Sequence, residues 1–552
     1  MNKEEDIAKL EAEIKLLKDT LAANKLETNR WKELYLSLRH NKFAKKSEKQ
    51  DPNQLYLFNE LEDIVANGVV EEMVPAEDER QMETRVKSYI RAKSNKKTMT
   101  APENTPVSDV YHDVEEVPIC EECGCEKEVV SDFVQESITF IPSSYVVVRH
   151  HYPQYRCTNC APLDGEYEKQ TPSSKNLLEQ TICDPSLLAT IIDEKMRFGL
   201  PLYRLEQRFK LDNGCSISRQ TASSWMMYAS RRLTGLKEAF ERALRKSSMW
   251  NMDETGLKVV KGYNSNSARN CHMIVRAGIN EDSSSGPVVF TFTEHKRNAD
   301  FINLIGDYSG IIQSDGLKGY ENASKVCNFT HLGCLIHSRR KAKEIININK
   351  DSVLAKELIS LYGIIFHEEG ILNSLYNTRQ LTADEFLEQR RNKLTPLFNN
   401  LKQWLLKYQP FALKGSKMAV AINYPLERWE TLTKFLDYPF ATSVNQNAEL
   451  KIKPFALGRK NFLFSYTPLG AEASALYYSI IETCKAMNID TIGYLTFLFS
   501  NSNCLETNEE WDSMLPWNAN LKSTVKYLDN IKRAVPDSER TKPYILRGKH
   551  HK

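Results

Sequence analysis

The chain has 552 residues, enough for three or four domains and at least one large core, and its 41% apolar and 26% charged residues are typical of soluble globular proteins. No apolar run approaches the length of about 18 residues that suggests a membrane span, and the opening Met1-Asn2-Lys3-Glu4-Glu5-Asp6 lacks a signal-peptide core, so a cytoplasmic protein with no membrane partner is expected. The net charge of +2 conceals basic clusters at Lys42, Lys45, Lys46 and Lys49, at 85–97, around Arg339, Arg340, Lys341 and Lys343, and at 522–552, set against an acidic stretch at 60–83. Any one such run reads as a solvated face; together they favour nucleic acid only alongside better signals.

From Ile7 the apolar positions fall three and four apart: Ile7, Leu10, Ile14, Leu17, Leu21, then Asn24, Thr28, Trp31, Tyr35 and Leu38. This heptad seam predicts a coiled-coil segment over 1–50 that joins copies of the chain, with Asn24 fixing the register at some cost in stability. A helix packed on its own domain would show the same pattern. Residues 51–110 are charged, with few aromatics and no periodicity, and read as a linker.

Within 111–165 stand two knuckles, Cys120-Glu121-Glu122-Cys123 and Cys157-Thr158-Asn159-Cys160, with 33 residues between them (157 − 123 − 1). Two thiolate pairs complete the tetrahedral S₄ shell that Zn²⁺ favours, although the gap exceeds usual zinc-ribbon spacing. Free structural thiols or a redox pair are the other readings; with no secretion signal, disulfides are not expected among the 12 cysteines. Cys125 is adjacent but has no partner.

Residues 175–245 read as helical. Asn213-Gly214 marks a turn, Ser218 suits an N-cap, and Ala222, Trp225, Met226, Ala229 and Leu233 recur on one face. With Arg204, Arg208, Arg219 and Gln220 facing out, this resembles a helix-turn-helix DNA-reading module, although similar helix pairs occur in proteins that never touch DNA.

From 246 to 345 the pattern is three strands, a helix, a strand, a helix and a strand. The first strand carries Asp253, and the run Ile311-Ile312-Gln313-Ser314 ends at Asp315. The last apolar run covers 330–336. This order predicts a mixed α/β sheet of ribonuclease-H type, with the first and fourth strands adjacent and Asp253 beside Asp315. Residues 346–440 read as mostly helical, with a break or restart at Pro396; packing and contact with nucleic acid are both open roles. In 441–485 a polar turn, Asn445-Gln446-Asn447, leads into a helix with Glu449 in its first turn. Arg459 and Lys460 follow as candidate phosphate contacts, and His337 reads either as a phosphate donor or as a half-buried histidine. Residues 486–552 form a helical segment and a basic tail.

Asp253, Asp315 and Glu449 lie 62 and 134 positions apart (315 − 253 and 449 − 315). Gathered together, they would repel and raise one another's pKa unless cations neutralised them. Two Mg²⁺ ions, or Mn²⁺, held by such a triad suit phosphodiester chemistry.

The chain resembles the DDE transposases of the insertion sequence 66 family over nearly its whole length. The resemblance is carried by Lys45-Lys46-Ser47-Glu48-Lys49, both cysteine knuckles, Pro201-Leu202-Tyr203-Arg204, Asp253-Glu254-Thr255, Ser314-Asp315-Gly316, Gly333-Cys334-Leu335-Ile336-His337-Ser338-Arg339-Arg340-Lys341, Ala456-Leu457-Gly458-Arg459-Lys460-Asn461-Phe462-Leu463-Phe464 and Leu515-Pro516-Trp517-Asn518. It implies a multidomain α/β chain: a ribonuclease-H-like mixed-sheet core with a helical insertion and the triad Asp253, Asp315 and Glu449, an N-terminal coiled coil and a small zinc-binding module. The family pattern departs beside the third acid, where paired asparagines, Glu-Arg and Ile-Arg-Pro are replaced by Asn445-Gln446, Glu449-Leu450 and Ile452-Lys453-Pro454. Leu450 gives up a bidentate phosphate donor, and Lys453 keeps charge without that geometry.

The expectation is a transposase that binds the ends of its element and performs Mg²⁺-dependent cleavage and strand transfer, with Arg219, Arg339, Arg340, Lys453, Arg459 and Lys460 on DNA. Element ends and target DNA, further copies of the chain and small accessory proteins of the same element are the expected partners. A catalytically inactive zinc-containing DNA-binding descendant and a metal-dependent nuclease are the competing readings.

Overall fold

A computed structural model describes residues 175–522 apart from 179, 180, 182, 214 and 263–267, together with helical positions between 13 and 39 and two short strands. These all belong to one of the chain's two units, Met1–Glu72 with Tyr145–Lys552; the other, Met73–Ser144, lies outside the described residues. The N-terminal helical positions leave the seam residues Ile14, Leu17, Leu21, Trp31 and Tyr35 exposed.

Strands β1 (Gln154–Tyr155) and β2 (Glu168–Lys169) pair antiparallel. Four helices follow: α1 (Pro185–Met196), α2 (Leu202–Asn213), α3 (Arg219–Arg232) and α4 (Thr234–Arg245). Ser218 caps α3 as its sequence predicts, its hydroxyl accepting from the Thr221 N–H at 3.1 Å. The apolar face of α3 and the adjoining Leu233 are buried. Of the cations expected to face out, Arg204 and Arg219 are exposed, whereas Arg208 is half-buried and ties back to Glu194 of α1 at 2.5 Å.

The sheet contains β3 (Met249–Val259), β4 (Arg269–Ile279), β5 (Ser285–Thr293), β6 (Ile311–Gln313) and β7 (Thr330–Leu332), with helices α5 (Asn298–Ile305) and α6 (Lys318–Ala323) on either side of β6 in sequence. Strand order is β5-β4-β3-β6-β7, so the first and fourth strands of the core are neighbours. β3 runs antiparallel to β4 along its whole length and parallel to β6, which is itself parallel to β7. The last strand is shorter than its apolar run. Gly333 donates its N–H to Thr431 O and Leu335 to Ser443 O, which takes the backbone out of the sheet, and Ile336 belongs to the next helix.

The insertion comprises α7 (Leu335–Ile348), α8 (Val353–Asn377), α9 (Ala383–Tyr408), α10 (Lys417–Glu427) and α11 (Trp429–Thr433). The break expected at Pro396 does not occur: α9 continues through it. A proline inside a helix costs roughly 3 kcal/mol, and here Leu394, Phe398, Leu401 and Leu405 are buried along the same stripe, each contributing about 1.5–3 kcal/mol. Burial offsets the lost bond.

The chain then returns to the sheet through α12 (Gln446–Phe462) and α13 (Pro468–Ala486), followed by α14 (Thr491–Asn501) and α15 (Asn508–Ser513). Helix α13 lies over the edge strand β5, whose outward N–H groups would otherwise be unpaired. The hydroxyls of Thr483 and Ser479, one turn apart, accept from Val288 N at 2.9 Å and Phe290 N at 2.8 Å. No helix among the described residues is long and apolar enough to cross a membrane.

Thr483→Val keeps the side-chain shape but leaves the Val288 N–H buried without its acceptor. The expected result in urea denaturation is a loss of about 1–3 kcal/mol, with Ser500→Ala, on α14 away from β5, near neutral.

Candidate active site

The site begins with an in-register pair of amides. Asn251 of β3 stands opposite Gln313 of β6, and its Nδ2 donates to Gln313 Oε1 at 2.8 Å and to Asn445 Oδ1 at 2.9 Å. Asn445 Nδ2 donates to Met252 O at 2.7 Å, and Gln313 Nε2 to Thr442 O at 2.6 Å. All three amides are at most 2% exposed. Buried polar groups of this kind are costly unless they satisfy one another, so the network locks β3, β6 and the segment before α12 together. Asn445 is the N-cap residue of α12, yet its side chain makes no capping bond because it is committed to this junction.

Each expected acid follows one of these amides. Asp253 and Asp315 come two positions after Asn251 and Gln313, just past the carboxyl end of the parallel β3–β6 pair, and Glu449 comes four after Asn445, in the first turn of α12. Side chains two apart on a strand share a face. Asp253 Oδ1 accepts from Glu254 N at 2.8 Å and Asp315 Oδ1 from Leu317 N at 3.0 Å. Glu449 is buried at 4% exposure, its Oε1 lying 3.8 Å from His337 Nδ1. A side chain in place of Gly316 would collide with the Tyr424 ring and hydroxyl, so the turn after Asp315 needs glycine.

Burial raises the Asp253 carboxyl well above its ordinary value of 3.8, and the charges of Glu254, Glu449 and Asp315 add to this. Asp315 is raised by burial and Glu254, with the Leu317 N–H, Lys296 and Arg340 opposing. Two of the three acids expected from the sequence, Glu449 and Asp315, therefore act through their charge on the third, Asp253. All their donor atoms are carboxylate oxygens, which suits hard cations such as Mg²⁺.

Glu254 is a fourth acid at the site to which sequence reasoning gave no role. It is held on the other side by Lys296 at 2.5 Å and the hydroxyl of fully buried Tyr320 at 2.8 Å.

The insertion reaches the site through Glu369 of α8. Its carboxylate accepts from Ser443 N at 2.8 Å and from the Ser443 hydroxyl. Buried Arg390 of α9 lies 4.0 Å from Glu369 and donates to Tyr438 O at 2.9 Å and Phe435 O at 3.2 Å. Paired in this way the two charges are tolerable; one alone would not be. They brace the strand of chain that delivers Glu449.

The candidate DNA contacts fall into different settings. Lys460 and Arg219 are exposed, and Lys453 is half-buried. Arg459 donates to the Thr255 hydroxyl at 3.3 Å, alongside β3. Arg340 is half-buried and lowers the pKa of Asp315. Arg339 departs from expectation: it is 8% exposed, because it falls four residues after Leu335 and three before Ala342, on the buried stripe of α7. His337 is half-buried, and burial with Arg340 and Lys341 pushes its pKa down to about 3, so it stays neutral. Cys120, Cys123, Cys157 and Cys160 lie outside the described residues.

Residues 180–473 match the Transposase IS66 family, and residues 118–161 match the zinc-finger binding domain of transposase IS66. Similar proteins include two from Sinorhizobium fredii, the uncharacterized proteins y4hP and y4jD. The first is 25% identical over 474 residues, covering 83% of this chain and 83% of the relative; the second is 25% identical over 431 residues, covering 76% and 81%.

Two outcomes follow from the geometry. Because the folded state keeps a proton on Asp253 above pH 3.8 that the unfolded chain has lost, its stabilising contribution is complete below that pH and declines as pH rises through the folded value. In metal-free thermal melts, Asp253→Asn should therefore lose less stability than the wild type as pH rises, and added Mg²⁺ should raise the melting temperature of the wild type more than that of the variant. Asn251→Leu strands the Gln313 and Asn445 amides, and urea denaturation should register a loss of about 1–3 kcal/mol for each group left unpaired.

Proposed function

The chain belongs to the IS66 family of transposases, and from that premise we propose that it cleaves the DNA at the ends of its element and joins them to target DNA, with Asp253, Asp315 and Glu449 as the catalytic acids of a ribonuclease-H-like core. The observation that carries this reading is geometric: Asp253 and Asp315 stand just past the carboxyl end of the parallel β3–β6 pair, and Glu449 is buried in the first turn of α12. The three are near enough that, after burial and Glu254, the charges of Glu449 and Asp315 raise the Asp253 pKa. An acidic cluster this buried is stable at neutral pH only if protons or cations neutralise it, and a divalent cation can replace the proton that Asp253 otherwise keeps.

Asp253, Asp315 and Glu449 would together hold two Mg²⁺ or Mn²⁺ ions through their carboxylate oxygens. Such ions, when bound, supply polarisation of the phosphate and a more acidic attacking water or 3′-hydroxyl. The chain's own groups do the rest. The amide junction keeps the three carboxylates in fixed positions without placing a positive charge among them. Lys296 neutralises Glu254 on the far side, so the net negative charge is concentrated on the three catalytic acids. Arg340, Arg459, Lys453 and Lys460 hold the phosphate backbone in register, and Arg219 on α3 contacts DNA further away. The knuckles Cys120–Cys123 and Cys157–Cys160 bind Zn²⁺ as a folding element of the DNA-binding module. The exposed seam from Ile14 to Tyr35 pairs with a second copy of the same helix.

The test is an oligonucleotide strand-transfer assay with the element's ends in Mg²⁺. Asp253→Ala, Asp315→Ala and Glu449→Ala should each lower cleavage and joining by at least about a thousandfold, which corresponds to several kcal/mol of lost transition-state stabilisation, while binding of the ends persists. Cleavage without joining by the wild type would identify a nuclease, and binding without either an inactive descendant.

A further inference from the structure

Glu449 has a second set of neighbours besides the acids. Cys334 is the N-cap residue of α7, and His337 lies one turn further along the same face. The donor atoms of Cys334, His337 and Glu449 all lie within 4.8 Å of one another, the only such group of three among the described residues, and His337 Nδ1 is 3.8 Å from Glu449 Oε1. That imidazole nitrogen is buried and makes no hydrogen bond. The Cys334 sulfur accepts the Asn445 N–H at 3.2 Å, an outer contact of the kind that orients metal ligands.

We propose that Cys334, His337 and Glu449 form a second metal site, selective for a thiophilic divalent ion of the zinc class, which withdraws Glu449 from the acidic centre when it is filled. The donor set is one sulfur, one nitrogen and one oxygen. Mg²⁺ prefers carboxylate, carbonyl and water oxygens and does not select such a set, whereas Zn²⁺ does. Bonds of about 2.0–2.3 Å in a tetrahedral shell place neighbouring donors roughly 3.3–3.7 Å apart, so atoms within 4.8 Å of one another need to close by at most about 1.5 Å. Three protein ligands leave a fourth position for water. Filling the site displaces the Cys334 thiol proton to solvent and leaves sulfur as the thiolate ligand. The proposal rests on the transposase reading only in sharing Glu449.

The test is metal stoichiometry on the full-length protein, saturated with Zn²⁺ and freed of excess. Wild type should hold one equivalent more than Cys334→Ser or His337→Asn, each folded by circular dichroism. Asp253→Ala should retain the extra equivalent while losing Mg²⁺-dependent cleavage, so the failure of the acidic triad and the failure of this site are separable. Equal stoichiometry in wild type and both folded variants would overturn the proposal. If both variants fail to fold, Co²⁺ titration of the wild type decides. A second Co²⁺ per chain that adds a thiolate-to-cobalt band of about one-quarter the knuckle site's intensity supports the site, and a second Co²⁺ with no thiolate band, or none, overturns it.

Discussion

Three carboxamides, Asn251, Gln313 and Asn445, form the junction on which the arrangement of the acids depends. Hydrophobic packing is weakly directional and would bring two strands and a helix together without fixing their relative offset to within a fraction of an ångström. A buried amide with its partners at 2.6–2.9 Å does fix it, because any slip leaves donors unsatisfied in a medium where that costs about 1–3 kcal/mol each. Uncharged groups suit the task. A lysine or arginine there would neutralise the carboxylates and leave less for a cation to do.

The third acid has the hardest route to the site. It is separated from the second by 134 positions, most of them in the helical insertion. The insertion is more than a spacer: Glu369 grips Ser443, Leu335 donates to Ser443 O, and Cys334 receives Asn445 N–H. The apolar cluster from Leu332 through Ala441 holds that scaffold rigid. Glu449 is therefore positioned from the sheet by Asn251 and from the insertion by Glu369, and its place depends on both cores being formed.

Much of this was legible in the sequence where local chemistry and tertiary role coincide. A strand-like run carrying Asp253 and an apolar run ending at Asp315 marked the two strands, their order placed them side by side, and Ser218 announced its cap. The amides were not legible, since an asparagine between Trp250 and Met252 looks like any polar residue in a strand, and its partners lie 62 and 194 positions away. Their one signal is that a polar side chain interrupts an otherwise buried run two places before each strand-borne acid. The misreadings have a common origin. The proline in α9, the end of β7 and the burial of Arg339 are each decided by long-range packing or by a hydrogen bond to the distant Thr431 and Ser443, which override local preference.

The lid on the outer strand has a consequence for biosynthesis. Strand β5 is complete by Thr293, but the hydroxyls that cover its backbone sit at Ser479 and Thr483. A ribosome must add nearly two hundred more residues before that border is sealed, and a polypeptide cut short before Pro468 by a frameshift or a nested insertion never seals it. Such fragments would carry an open, apolar sheet margin of the kind that recruits strands from other chains. Interrupted copies of the gene would thus yield products prone to coaggregate or to be degraded, and intact protein would be the form that persists.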